Sequence, residues 1–210
     1  MRKITVTEGL NELKLYDSKI EKAIDNLKLI GAKKKSVDKV GVVNVEKFIA
    51  DAKAAHQSIM DLIRNRNTLK AAIVKSNAIT YLEIGDQKMT VAEAIERKNS
   101  IQYEKELLLA MKAQYGSATV TVNKENAKVD NKVDELIQSF VSRDTTKKFD
   151  KNEQTAVEAL YREQNEWELV DPLNLFDLMT KLEADIDTFE SQVDGKLSLC
   201  NATTFIELDF

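Results

Sequence analysis

The residues able to do chemistry in this chain are few, and their spacing does not serve it. His56 is the only histidine, so a site of several imidazole ligands is excluded and little remains to act as a general base near neutral pH. It sits beside the apolar stripe of a helical pattern, which suits helix-flank packing better than catalysis. Cys200 is the only cysteine. It has no intramolecular disulfide partner, nothing in the sequence places it beside His56 as a nucleophile, and its apolar helical surroundings read as a buried thiol in a reducing compartment. Carboxylates stand two apart at Glu104 and Glu106 and at Asp185 and Asp187. On a helix such positions point to different sides, so solvated faces explain them better than a divalent-ion site. No GxGxxG, P-loop, HExxH or CxxC pattern occurs, and Lys33, Lys34 and Lys35 between a glycine and Ser36 read as a solvated loop. The expectation is a chain that is not an enzyme and holds no metal and no cofactor.

One set of polar residues stays open as a binding site. Asn77 with Thr80, and Asn201 with Thr204, fall at two places where a helical pattern gives way to an extended one. Asn tolerates the left-handed backbone and can bond its own backbone, so both Asn residues suit such corners as caps. The other reading is a shared site for a small polar ligand, such as a nucleotide-like signal, at these corners or between subunits.

Elements able to position these residues follow from composition and periodicity. The 210 residues carry 31 Lys and Arg against 35 Asp and Glu, a net charge of −4, with a single Pro and 6 Gly. Few breakers and many charges describe amphipathic helix, and the charge balance offers no surplus for an extended nucleic-acid footprint. Residues Met1 to Thr7 lack the apolar core of a signal peptide, and no apolar run approaches a membrane span. A cytoplasmic place of synthesis, with a virion as an alternative destination, is the expectation.

Thr5-x-x-Glu8 is a capping box opening a helix whose stripe, Val6, Leu10, Leu13, Ile20, Ile24 and Leu27, runs to a stop at Gly31. A second helix runs from about Asn44 toward Ser76 on Val45, Phe48, Ala52, Ala55, Ile59, Leu62, Leu69 and Ile73. Its length of about 48 Å, at 1.5 Å per residue, predicts an elongated molecule. Asn77 to Ile84 reads as a strand closed by Gly85-Asp86. Thr90-x-x-Glu93 then opens a helix that stops at Gly116. Alternation over Ala118 to Val122 predicts a short strand, Val129 to Phe140 a modest helix, and polar residues 143–152 a loop. Trp167 to Val170 reads as extended, Asp171-Pro172 as a helix start, and Leu175, Met179, Leu182, Ile186, Phe189, Val193 and Leu197 as the last stripe.

The segment Ser76 to Ile84 recurs as Cys200 to Leu208 at a constant spacing of 124 residues, and the same spacing sets Ile73 on Leu197, Leu69 on Val193 and Leu62 on Ile186. The reading is one domain over 1–210, mainly α, with long antiparallel coiled-coil-like helices and a small antiparallel β-sheet. Its pseudo-repeats cover about 45–84 and 169–208, with an insertion or hinge at 117–152. The two repeated strands are expected to share one sheet.

A helix ending Asn77-Ala78-x-Thr80, a turn at Gly85, the run Met89 to Arg97 and a final helix ending Asn201-Ala202-Thr203-Thr204 resemble the septicolysin-like proteins. The resemblance spans most of the chain and implies long helical hairpins, a small sheet and self-association, with no catalytic residue to carry over. This sequence is longer than that pattern around Ser117 to Asn152. The family name implies membrane damage, for which no insertion segment is visible here. The Lys-rich, linker-poor style also resembles structural or accessory proteins encoded by phages of low-GC bacteria. The expected function is therefore a non-enzymatic, self-associating scaffold or interaction protein, a homo-oligomer or a partner of other protein subunits, with small-ligand binding as the alternative.

Overall fold

The computed structural model describes residues 2–143 and 151–209. The elements are β1 (Arg2–Thr5), α1 (Val6–Asp25), β2 (Lys39–Val40), β3 (Val43–Asn44), α2 (Val45–Ile79), β4 (Tyr81–Ile84), β5 (Gln87–Thr90), α3 (Val91–Arg143), α4 (Lys151–Asn165), α5 (Leu175–Thr203) and β6 (Phe205–Leu208). The fold is mainly α with small antiparallel sheets. It divides into two compact units, residues 1–99 with 188–210 and residues 100–187, where the sequence reading expects one domain over 1–210.

Helix starts obey the local chemistry. Thr5 caps α1 with a complete capping box: its backbone N–H donates to Glu8 Oε2 at 2.7 Å, and Glu8 N–H donates to Thr5 Oγ1 at 3.1 Å. Thr90 and Glu93 repeat it at the start of α3, at 2.6 and 3.1 Å. Asn44 caps α2 through Glu46 N–H at 2.9 Å.

Several expected boundaries move. The first helix ends at Asp25, not at Gly31. Gly31 instead lies in a close approach, where a Cβ would stand 2.4 Å from Val40 Cγ1. The second helix runs through Asn77 to Ile79, so Asn77, like Asn201 in α5, is helical and not a left-handed corner. Among the described residues the positive-φ non-glycine is Asn174. The strand expected at 118–122 is α-helix, because the 53-residue α3 runs on through Gly116. Its β-branched residues are accommodated by hydroxyls returned to the helix backbone, Thr119 to Tyr115 O at 2.8 Å and Thr121 to Ser117 O at 2.9 Å. The hinge expected at 117–152 is thus helical to Arg143, while 144–150 lie outside the described residues. The last helix starts four residues beyond Asp171, whose carboxylate accepts from Leu175 N–H at 2.7 Å.

The two repeated strands do not share a sheet. β4 pairs with β5, β6 pairs with β1, and β2 with β3 makes a third two-stranded ribbon. The nearer partner wins for β4: Gly85, at φ 55°, and Asp86 close a tight hairpin that costs little loop entropy. The register of the two ribbons is the same. Tyr81 faces Thr90 and Leu82 faces Met89, as Phe205 faces Thr5 and Ile206 faces Ile4. Val91 N–H donates to Thr80 O, and Val6 N–H to Thr204 O, both at 2.9 Å.

In the first unit, Leu69 and Ile73 of α2 and Val6 and Leu13 of α1 are buried with Ile4, Ile206 and Leu208 of the β1–β6 ribbon. Gly9 lets α1 approach: a Cβ there would meet Ile206 Cδ1 at 3.2 Å and Ile73 Cδ1 at 3.3 Å. The β4–β5 ribbon meets α5, with Gly85 N–H donating to Gln192 Oε1 at 3.2 Å and Phe189 buried beneath Arg97, whose guanidinium lies 4.6 Å from the ring. In the second unit Val129, Val133, Met179 and Ile186 are buried. There Arg162 bridges Asp130 at 2.7 Å and Glu158 at 2.9 Å.

Two outcomes follow. Leu69 is fully buried, so Leu69→Ala is expected to cost about 2–5 kcal/mol in urea unfolding, while Leu62→Ala, at a half-buried position, costs less. The amide and hydroxyl of Thr5 hold the Glu8 carboxyl below its ordinary range, and Thr90 does the same for Glu93. A carboxyl lowered in the fold stabilises above its unfolded pKa and loses that contribution as pH falls through the folded value. Urea midpoints measured between about pH 5 and pH 3 should therefore fall less steeply in Glu8→Gln and Glu93→Gln than in the wild type.

Candidate functional site

Thr80 and Thr204 each end a long helix. Thr80 caps α2 in extended conformation, with its N–H on Ser76 O at 3.0 Å; Thr204 N–H bonds Cys200 O at 2.9 Å. Because a strand follows at once, both threonines come to the same place, and both line each of two neighbouring clefts in the first unit. The first cleft, of about 520 Å³, lies between Tyr81, Leu82 and Glu83 of β4 and the last turns of α5 from Lys196 to Thr203. The second, of about 390 Å³, lies between Phe205, Ile206 and Glu207 of β6 and the last turns of α2 from Ala72 to Ile79.

The clefts have matching chemistry. Lys88 enters the first and Lys3 the second, each from the strand paired with the cleft wall. Lys88 Nζ lies 5.3 Å from the centre of the Tyr81 ring, and Lys3 Nζ 5.2 Å from that of Phe205. Such contacts hold an ammonium on an exposed ring with about 0.5–1 kcal/mol. A second lysine comes from the facing helix, Lys196 or Lys75. These two are not at equivalent places in their helices, since Lys196 stands where the other cleft has Ala72 and Lys75 where it has Leu199. Each cleft thus holds two ammonium groups and one carboxylate, over threonine hydroxyls. Cys200 lines the first cleft with its Sγ 3.6 Å from Thr204 Oγ1, and Ser76 takes its place in the second.

Of the four residues singled out in the sequence, the structure brings Thr80 and Thr204 together and leaves Asn77 and Asn201 half-buried in their helices, lining neither cleft. The lysines and aromatic rings were missed. Their signal was present: Lys3-Ile4-Thr5-Val6-Thr7-Glu8 recurs as Lys88-Met89-Thr90-Val91-Ala92-Glu93, a strand end and a capping box together. Glu104, Glu106, Asp185 and Asp187 join no group able to hold a metal ion among the described residues.

The second unit carries a different surface. Between α4 and α5 the chain has no regular strand, correcting the extended reading of Trp167 to Val170 as a sheet element. Asn126 of α3 takes the place of a strand partner, its Nδ2 donating to Trp167 O at 2.9 Å and its Oδ1 accepting from Trp167 N–H at 2.7 Å. The connection and the first turn of α5 leave Val170 87%, Leu173 65% and Phe176 58% exposed, with Trp167 51% exposed. A cavity of about 330 Å³ opens there against Tyr115 and Ala118 of α3, and the rings of Tyr115 and Phe176 stand 6.2 Å apart.

No helix among the described residues is long and apolar enough to cross a membrane. No family model, no curated protein and no solved structure matches this chain.

Among the described residues, Lys3 and Lys88 rest on the rings of Phe205 and Tyr81 and take part in no ion pair. Lys3→Met and Lys88→Met are expected to shift the unfolding free energy by less than about 1 kcal/mol each, as read from urea curves; a larger loss would make these lysines part of the fold and not of a surface site.

Proposed function

We propose that this protein is a non-enzymatic scaffold that associates with copies of itself, of the kind that builds or helps assemble a phage virion, and that it acts without nucleic acid. The reading is carried by one observation: the connection from Trp167 to Phe176 holds large apolar side chains in water beside an open cavity of its own unit. Scattered single hydrophobics are ordinary on a protein surface, but a contiguous group marks a place that another surface covers. A second copy is the proposed cover, because closed homo-oligomers are the commonest assemblies and a two-fold axis sets one patch against the same patch of the next copy. The connection is anchored at both ends, by Asn126 on Trp167 and by the Asp171 carboxylate on Leu175, so its apolar residues are presented with little ordering left to do on association. A net charge of −4 supports a protein partner over a polyphosphate one.

Light scattering after size exclusion tests the proposal. The wild type is expected at a multiple of 23.7 kDa, and Val170→Asp with Leu173→Asp at 23.7 kDa with an unchanged helical circular dichroism spectrum. A wild type that stays monomeric at high micromolar concentration, or a double variant with an undiminished mass, contradicts it.

A further inference from the structure

The two clefts at Thr80 and Thr204 have a feature that side chains alone do not show. In an antiparallel pair, backbone groups of successive residues point alternately toward the partner strand and away from it. The bond from Val91 N–H to Thr80 O, with Tyr81 facing Thr90, fixes the phase: Leu82 and Ile84 bond to β5, while the N–H and C=O groups of Tyr81 and Glu83 point away from it. The bond from Val6 N–H to Thr204 O fixes the same phase in β6, where Phe205 and Glu207 turn outward. Both sheets have two strands, so no strand lies on the outer edges of β4 and β6 among the described residues.

An open edge is usually blunted by a charged side chain standing across it. Here β4 and β6 carry the carboxylates Glu83 and Glu207, while Lys88 and Lys3 stand on the paired strands β5 and β1, each laid over an aromatic ring. Each open edge instead forms one wall of a cleft whose other wall is the end of a long helix. A wall of this kind offers paired donors and acceptors about 7 Å apart along the strand, a spacing that suits another extended backbone. The side chains choose its charge. In a chain of net charge −4, the first cleft sets Lys88 and Lys196 against Glu83, and the second sets Lys3 and Lys75 against Glu207.

We infer that each cleft binds an extended acidic peptide segment, which adds to the open edge of β4 or β6 as a third strand and sets its carboxylates against the cleft lysines. The two clefts share Thr80 and Thr204, so two segments would meet there and a partner presenting both would gain from the proximity. This activity is separate from self-association, which uses the other unit.

The test pans a phage-displayed library of random dodecapeptides against the full chain, then titrates the resynthesised binders into isotope-labelled protein followed by amide NMR. Binders are expected to be rich in Asp and Glu and to shift the amides of Tyr81 and Glu83, or of Phe205 and Glu207. N-methylation of alternate peptide amides should weaken them by about tenfold or more, because it removes the strand hydrogen bonds. Lys88→Met with Lys196→Met should weaken binding at the first cleft to a similar degree while leaving the second intact, which also reports that the variant is folded. A selection without binders, shifts elsewhere, or N-methylated peptides that bind equally would overturn the inference. So would complete displacement by inorganic phosphate, which would make the lysines a simple anion site.

Discussion

A ribbon of two four-residue strands is not stable in water by itself, and that constraint organises the first unit. Each ribbon must lay its apolar face on helices, and part of that support comes from the helix that leads into the other ribbon. β6 follows α5, yet Ile206 and Leu208 are buried with Leu69 and Ile73 of α2. β4 follows α2, yet its turn rests on Thr188 and Gln192 of α5. Each long helix therefore carries the strand that follows the other, and the chain crosses itself at Thr80 and Thr204. The clefts are a consequence of the crossing, because a helix end and a foreign strand lie side by side without filling the space between them.

The energetic weight sits in buried apolar residues and in the closed hydrogen bonds at helix starts. Surface ion pairs such as Lys112 with Glu183, both about half exposed, contribute little. Capping is different in kind. Thr5 and Thr90 each satisfy amides that no helix can satisfy internally, and they do so where a strand becomes a helix without a linking residue. One threonine thus ends a ribbon and starts a helix, which is why Lys3 and Lys88, two residues earlier, are held at fixed places in the clefts.

Much of the fold was legible in the sequence, for reasons that can be named. The capping boxes at Thr5 and Thr90, the start of α2 at Asn44 and the hairpin turn at Gly85 rest on chemistry confined to a few neighbouring residues, and they appear where expected. Pairing between distant segments was not legible. Arg2 to Thr5 has no strand signal of its own, so nothing local announced it as the partner of Phe205 to Leu208, and the expected single sheet gave way to separate ribbons. The alternation of β-branched residues at Ala118 to Val122 carries a strand signal that the surrounding helix overrides. Inside a helix already running from Val91, the hydroxyls of Thr119 and Thr121 return to the backbone, and one Gly116 does not stop the propagation. Of the candidate site, the threonines were visible as a repeated motif. The asparagines were misplaced because the helices run several residues further than expected, and the lysines were overlooked because their meaning depends on register.

The crossing gives the two ribbons a common fate. Since each is seated on the helix that leads into the other, loosening one removes support from both, and the amides pointing into the ribbons should open only when the helices do. Hydrogen exchange on the intact chain measures this directly. The amides of Leu82, Ile84, Ile206 and Leu208 are expected to exchange as slowly as those around Leu69 and Phe189, while Tyr81, Glu83, Phe205 and Glu207 exchange rapidly. Rapid exchange at all eight strand amides, with the helices still protected, would contradict it, because the ribbons would then be resting on the helices without being held by them.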